Sequence, residues 1–216
     1  MASTASSTAP AWRHAIKRAM KANGRNPASK YAQVATIKRD GSPAVRTVVI
    51  RGFLDGFLDA CTGRERDALV FCTDNRSAKI GEIERDERGE MAWYFPETRE
   101  QFRVTGTLAT QSATTMSASA ANYNDDARRA LWIKMRRGAR GQFLWPAPGG
   151  ARTEDADSGL WNIDEEDAAL DDERVGEHFT LVSFHASRID HLALRSNERI
   201  IHEEINGEWV TTRVNP

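Results

Sequence analysis

The stretch YAQVATIKRDGSPAVRTVVIRGF, residues 31–53, decides the fold. Two runs rich in β-branched residues flank Asp40-Gly41, which is a turn dipeptide. This pattern is typical of a β-hairpin, in which two antiparallel strands are joined by a tight turn. The stretch therefore predicts a domain that begins with antiparallel strands.

Two arginines lie in the second strand of this hairpin, within VRTVVIRGF. Because side chains alternate between the two faces of a strand, Arg46 shares a face with Val48, whereas Arg51 shares the other face with Val49. Arginine is seldom fully buried without a partner. The two guanidinium groups raise the question of an anionic partner. If both contact one anion, the strand must bulge or end near Arg51, or one arginine must act from a second copy of the chain.

The rest of the chain continues this pattern. Short apolar runs predict strands at 68–73, 91–96 and 101–110, and three more strands near the end, the last two joined by Asn206-Gly207. Apolar residues four apart in 10–23 predict a helix, and 123–135 predicts another. The strands lack regular βα alternation, so we expect a mainly β fold with helices (α+β), in the form of a small antiparallel barrel.

The domain organisation is simple. A chain of 216 residues can bury one sizeable core, so we expect a disordered tail at 1–9 and a single domain at 10–216. Residues 146–178 are rich in proline, glycine and acidic residues, which predicts an acidic surface insertion. This insertion is either a solvated loop, which the composition favours, or a lid over a site.

Composition excludes several classes of function. The formal net charge of −1 gives no basic field for nucleic acid, and no apolar run reaches the ~20 residues that cross a bilayer. The start is small and polar, without the apolar centre of a secretory signal. Cys61 and Cys72 lack CxxC spacing, and the five histidines lack metal-ligand spacing, so we expect reduced thiols, no metal site and a cytoplasmic protein.

The stretch TDNRSAK, residues 73–79, combines the residue types that bind phosphate. Thr73 and Ser77 supply hydroxyl groups, and Lys79 stands at a predicted helix start for which Ser77 is the N-cap. Hydroxyls, helix-start amides and a cation together suit a phosphate group. The alternative is that the nearby cations pair with acids, namely Asp55, Glu82 or Glu84. No glycine-rich P-loop and no GxSxG motif occur.

As a set, four stretches resemble the pyridoxamine 5′-phosphate oxidase family of FMN-binding split barrels. They are RTVVIR (46–51), FCTDNRSAK (71–79), WYFPETREQFRV (93–104) and the C-terminal segment 198–216. The forms TDxRSxK and WYFPxTxEQFR are similar to a less characterised branch of the family rather than to the vitamin B6 oxidase itself. The resemblance implies a six-stranded antiparallel split barrel that forms homodimers, with FMN at the subunit interface.

The resemblance also implies the cofactor-binding residues. Arg46 and Arg51 would reach the FMN phosphate, the strand backbone between them would run along the flavin, and residues of TDNRSAK would complete the phosphate and ribityl contacts. Gln101 would contact the flavin, and Arg199 would approach the ring from the partner subunit. The complete set is Arg46, Thr47, Val48, Val49, Ile50, Arg51, Thr73, Ser77, Lys79, Gln101 and Arg199.

On the substrate side this chain departs from the family pattern. Where the B6 oxidases carry an Arg-x-His pair, this chain offers Arg195 and Asn197, and Arg128 stands where a substrate-phosphate arginine is expected. Arg51 also replaces a lysine. The resemblance implies an FMN-dependent oxidoreductase that acts on a small molecule, with its catalytic residues unassigned. The alternatives are a flavin-binding or flavin-sensing protein without turnover, and a split barrel that binds another ligand such as heme.

Overall fold

The architecture is an antiparallel barrel with helices at its ends and side. The computed structural model describes residues 9–57, 67–112, 121–152, 161, 163–164, 167, 170–172 and 174–216. The helices are α1 (Ala11–Ala22), α2 (Ala78–Arg85), α3 (Ala121–Lys134) and α4 (Arg137–Arg140). The strands are β1 (Tyr31–Ile37), β2 (Pro43–Phe53), β3 (Leu69–Asp74), β4 (Arg88–Phe95), β5 (Glu100–Gln111), β6 (Phe179–Ala193), β7 (Glu198–Ile205) and β8 (Glu208–Val214).

Six of the strands close into a barrel. They follow the order β3-β2-β1-β4-β5-β6, and β3 pairs with β6 to complete the ring. Every pairing is antiparallel, and β7 and β8 extend the sheet from β6. The expected α+β fold with a six-stranded antiparallel barrel is confirmed.

The two predicted hairpin turns are present. Gly41 between β1 and β2 has φ +83°, a conformation that only glycine adopts without strain. Asn206 and Gly207 between β7 and β8 have φ 54° and 85°. Positive φ at both central residues is the signature of the type I′ turn, whose twist matches that of the two strands it joins.

The core has two parts, separated by β3. Leu69 and Phe71 point into the barrel interior, which α1 covers with Trp12 and Ile16. The intervening residue Val70 lies in a second cluster on the outside of the barrel, beneath α3; it includes Leu131, Trp132, Phe143, Phe179 and Leu181. Because side chains alternate between the two faces of β3, this strand contributes residues to both clusters.

A β-bulge interrupts β2 at the second arginine of the quoted stretch. The register with β3 shifts between Ile50 and Gly52, and Gly52 has φ +129°. A bulge adds a residue to one strand and redirects its side chain. The irregularity predicted near Arg51 is therefore present.

The described part of the acidic insertion is partly packed. Leu170 is fully buried, and the carbonyl of Asp171 accepts a hydrogen bond of 2.9 Å from Trp132 Nε1. These contacts attach the insertion to α3. The tail at 1–8 and the insertion residues 153–160 lie outside the described residues.

No helix within the described ranges is both long enough and apolar enough to cross a membrane.

Candidate functional site

Two hydroxyls and a lysine meet where β3 passes into α2. Lys79 Nζ donates hydrogen bonds to Thr73 Oγ1 at 2.8 Å and to Ser77 Oγ at 2.9 Å. The two hydroxyl oxygens lie 3.3 Å apart. We call Thr73, Ser77 and Lys79 the hydroxyl–lysine cluster. The three residues that TDNRSAK contributes to the predicted site are therefore brought together.

Ser77 occupies the N-cap position of α2, as predicted, but its side chain does not cap the helix. Its hydroxyl donates instead to the carbonyl of Asp74 at 2.7 Å and accepts from Lys79. The expectation of a side-chain cap is wrong because these contacts hold the hydroxyl away from the helix amides.

The electrostatics of the hydroxyl–lysine cluster suit an anion. Burial lowers the pKa of Lys79 below its ordinary value, and the nearby charge of Arg46 lowers it further, while Asp74 and Glu82 act in the opposite direction. A half-buried ammonium with a second cation beside it gains more from a bound anion than an exposed ammonium does. The cluster is therefore prepared for a negatively charged group.

Arg46 is held by a carboxylate and a hydroxyl. Its Nη2 lies 2.6 Å from Glu82 Oε2, and its Nη1 donates to Thr36 Oγ1. Burial alone raises the pKa of Glu82, but hydrogen bonds from Thr36 and Arg46, with the charge of Arg46, bring it below its ordinary value. The pairing of a strand arginine with Glu82, weighed above as an alternative, is therefore present. Thr36 was not among the predicted residues.

Arg51 lies on the other face of β2, beside Cys72. Its charge and hydrogen bond lower the pKa of the Cys72 thiol, whereas burial, the larger effect, raises it. Its Nε is buried and has no hydrogen-bond partner within the part of the chain that the structure describes. A buried donor without an acceptor costs free energy, so this guanidinium can still accept a partner.

The edge of β2 next to the hydroxyl–lysine cluster is open. β3 pairs only with residues between Ile50 and Phe53, so no described strand pairs with Thr47, Val48 or Val49 on that edge. Their other edge pairs with β1. Val48 and Ile50 point into the core, while Thr47 is exposed on the outside. Unpaired peptide groups on a strand edge can hydrogen-bond a planar ligand.

The two remaining cofactor candidates lie together at another place. Gln101 and Arg199 both stand beside Leu192, in register across β5, β6 and β7. Arg199 binds Asp190 through two hydrogen bonds of 2.9 and 2.8 Å. The hydrogen bond from Arg199 is the largest influence on Asp190 and holds its pKa below the ordinary value.

This pair lies far along the barrel from α2. Gln101 is at the start of β5, whereas Leu108, near its other end, donates to the carbonyl of Glu87, just after α2. Seven residues of strand correspond to about 23 Å. A single chain therefore holds the predicted flavin contacts in two separate groups.

The substrate-side candidates are divided as well. Arg128 is buried and donates to the carbonyls of Phe179 at 2.9 Å and Gly176 at 2.8 Å, which holds α3 to the start of β6. Arg195 donates to the carbonyl of Glu97 at 2.6 Å, and Asn197 has a left-handed φ of 53° in the β6–β7 turn. Their proposed roles toward a substrate stay predictions.

The sequence does not indicate the buried polar pair of His191 and Glu100. His191 Nε2 lies 3.0 Å from Glu100 Oε1, and both residues are buried. They are 91 positions apart, so no local motif could indicate the contact.

Among the described residues, no group of three or more His, Cys, Asp or Glu side chains is arranged to hold a metal ion.

Comparison with known proteins gives a family for this chain. The sequence model described as "Pyridoxamine 5′-phosphate oxidase, FMN-binding domain" matches residues 9–112. A relative in Arabidopsis thaliana, named pyridoxine/pyridoxamine 5′-phosphate oxidase 2, is 28% identical over 210 residues, which cover 95% of this chain and 96% of the relative.

Solved structures also match nearly the full length of the chain. A pyridoxamine 5′-phosphate oxidase-related, FMN-binding protein of Nostoc punctiforme has a TM-score of 0.83 and 33% identity, and the match covers 97% of this chain and 100% of that protein. PhzG of Burkholderia lata, with a TM-score of 0.68, 16% identity and coverage of 94% and 91%, shares the fold. On these matches, the chain belongs to the pyridoxamine 5′-phosphate oxidase-related, FMN-binding family.

Proposed function

We propose that this protein binds FMN and uses it as an oxidoreductase that acts on a small molecule. One observation supports the proposal above all others: the hydroxyl–lysine cluster lies beside the open edge of β2. FMN has a phosphate group at one end and a planar ring with hydrogen-bonding edges at the other. The hydroxyl–lysine cluster offers a partner for the phosphate, and the open edge of β2 offers a partner for the ring.

The residues present fit the cofactor. Lys79, Thr73 and Ser77 would hold the phosphate, and Arg46 would add charge from beside them. The backbone of Thr47–Val49 would pair with the flavin edge, whereas Ile50, also among the predicted contacts, pairs with Phe71 in β3. The Nε of Arg51, which is buried and has no hydrogen-bond partner among the described residues, supports a further polar contact in the bound state. When bound, FMN would supply two-electron chemistry, while the chain supplies position, charge and exclusion of water.

We also propose a homodimer with FMN between the subunits. Gln101 and Arg199 lie far from the hydroxyl–lysine cluster in one chain, so a second copy would have to bring them to the same flavin. The outer face of β1, β2 and β4 exposes apolar side chains, with Val45 69%, Tyr31 46% and Tyr94 43% accessible. Contact with a second subunit would bury these side chains.

Pyridoxamine and pyridoxine 5′-phosphate are the first substrates to test, because the Arabidopsis relative is named for them. Asn197 stands where the family pattern has histidine, which favours a second candidate function: flavin binding without turnover of these compounds. The free thiol of Cys72 suits a reducing compartment, and we propose the cytoplasm as the location.

Anaerobic mixing separates the two functions. FMN-loaded protein is mixed with each phosphorylated substrate while the visible absorbance of the flavin is followed. If the protein oxidises the compound, its flavin is reduced and the visible absorbance is lost, and oxygen restores the absorbance by reoxidising the flavin. If FMN binds but the absorbance persists with both compounds, turnover of vitamin B6 phosphates is excluded and the binding function remains.

A further inference from the structure

Thr180 in β6 has a buried hydroxyl that makes no hydrogen bond. The residue is fully buried, and its Oγ1 has no hydrogen-bond partner among the residues that the structure describes. Most buried hydroxyls in folded proteins have a partner, because a buried polar group without one costs free energy. The isolated hydroxyl of Thr180 therefore needs a physical reason.

Thr180 lies next to the hydroxyl–lysine cluster. Thr180 and Thr73 are direct partners across β6 and β3. Residues directly opposite each other in an antiparallel pair share a face, and their Cβ atoms lie about 4.5–5.5 Å apart. The next pair on this face, Phe71 and Val182, belongs to the core inside the barrel. The side chain of Thr180 thus points into the barrel interior beside that of Thr73.

The hydroxyl of Thr73 accepts a hydrogen bond from the lysine of the cluster. Lys79 Nζ lies 2.8 Å from Thr73 Oγ1 and 2.9 Å from Ser77 Oγ. In the function proposed above, this ammonium binds the phosphate of FMN. When Lys79 turns toward the phosphate oxygens, Thr73 Oγ1 loses a donor.

Thr180 can supply the donor that Thr73 loses. A hydroxyl has one donor and two acceptor positions, so Thr73 can accept from Thr180 and give its own proton to a phosphate oxygen. Threonine pairs on one face of a sheet form such hydrogen bonds. At this separation of the Cβ atoms, a change of side-chain rotamer is enough to bring the two oxygens within hydrogen-bond distance.

We propose that Thr180 is a positioning residue of the FMN site that acts through Thr73. In the bound state its hydroxyl donates to Thr73 Oγ1 and orients the hydroxyl of Thr73 toward the phosphate. This inference rests on the proposed function and adds to it a residue from a strand far from TDNRSAK in the sequence. It gives the isolated hydroxyl a reason, because the hydroxyl costs stability in the free protein and gains a partner when FMN binds.

Thr180→Val tests the proposal with two measurements. Valine keeps the branched shape and removes the hydroxyl, so the midpoint temperature of thermal unfolding without FMN should be unchanged or higher. FMN affinity, measured by titration of flavin fluorescence, should decrease about three- to tenfold, the effect of one net hydrogen bond. Thr180→Ser keeps the hydroxyl and should bind FMN more tightly than Thr180→Val does.

Ser183→Ala provides the matched control. Ser183 is a buried hydroxyl residue of the same strand, but its Oγ lies 3.0 Å from His185 Nε2. It pairs with Val70, which belongs to the cluster outside the barrel. Ser183→Ala should lower the midpoint temperature, because it removes an existing hydrogen bond, and should leave FMN affinity unchanged.

Two results would overturn the proposal. Either Thr180→Val binds FMN as tightly as the wild type, or it lowers the midpoint temperature without FMN, which would mean that the hydroxyl already has a partner in the free protein. In both cases FMN binding by the wild type leaves the proposed function intact. A wild-type protein that takes up no FMN would overturn both proposals.

Discussion

Arg46 and Glu82 form an ion pair beside the proposed phosphate site, and each depends on the other. The side chains are 23% and 11% exposed, so removal of either partner leaves a mostly buried charge without its counterion. Measured in protein without FMN, the interaction energy of Arg46 and Glu82 gives the contribution of this pair to stability, apart from any contribution to FMN binding.

A double-mutant cycle measures this coupling. In protein without FMN, Arg46→Met and Glu82→Gln should each lower the free energy of unfolding by about 1–3 kcal/mol. The double variant should lose less than the sum of the two, because no unpaired charge remains. Chemical denaturation provides the values. Strict additivity would mean that the two side chains do not interact in solution.

Two buried histidines make stability depend on pH. Burial is the main cause of the lowered pKa of His191 and of His202. The unfolded chain, with a histidine pKa of about 6.5, therefore binds more protons than the folded chain below that pH. Stability is complete above the unfolded pKa and falls as the pH decreases through it toward the folded pKa.

Denaturation at a series of pH values from 7 to 5 tests this effect. We expect the free energy of unfolding to decrease over this range, before the carboxylates begin to titrate. His202→Gln retains a hydrogen-bonding side chain next to Thr211, which lies 2.9 Å from His202 Nδ1, and it should make the decrease smaller. A variant with the same slope as the wild type would exclude His202 as a source.

At the scale of elements, two glycines provide a matched pair of tests. A Cβ at Gly106 in β5 would lie 2.0 Å from the carbonyl oxygen of His185, whereas a Cβ at Gly81 in α2 meets nothing within 4 Å. Gly106→Ala should therefore cost about 2 kcal/mol or more, because two paired strands must separate. Gly81→Ala should add about 0.5–1 kcal/mol through helix propensity. The midpoint temperature of thermal unfolding should decrease for Gly106→Ala and increase for Gly81→Ala. Equal shifts in the two variants would contradict the packing at Gly106.

The elements could be predicted because their signals are local. Asp40-Gly41 and Asn206-Gly207 specify hairpins through their own φ preferences, and the spacing of Trp12, Ile16 and Met20 specifies one face of α1. Closure of the barrel is different, because β3 pairs with β6 more than a hundred residues later. Periodicity favoured a small antiparallel barrel, and the resemblance to a family implied six strands.

The candidate site was likewise predictable where its residues are close in sequence, and not where they come from distant segments. Thr73, Ser77 and Lys79 lie within seven residues, so the turn into α2 brings them together. The pairs Arg46–Glu82 and His191–Glu100 connect distant segments, and only the fold selects them from many acids. Arg51 shows a further limit, because the bulge that sets its direction depends on pairing between β2 and β3.

At the scale of the whole molecule, the proposed dimer gives a testable mass. Sedimentation should yield twice the 24.1 kDa of the chain. Val45→Glu places a charge on the exposed face of β2 and should produce monomers with weakened FMN binding, since burial of an unpaired charge opposes association. Ile133→Glu changes a side chain on α3 that is 43% exposed and should remain dimeric. A wild-type monomer that binds FMN fully would contradict the shared site.

The hydroxyl–lysine cluster and the open edge of β2 together form the proposed FMN site. The direct measurement is the visible spectrum of the purified protein after addition of FMN and gel filtration, followed by denaturation and quantification of the released flavin. We predict one FMN per chain. Lys79→Ala should lose about 1.5–3 kcal/mol in the free energy of FMN binding. Lys21→Ala, the control, should show no such loss. A colourless protein that takes up no FMN would contradict the account.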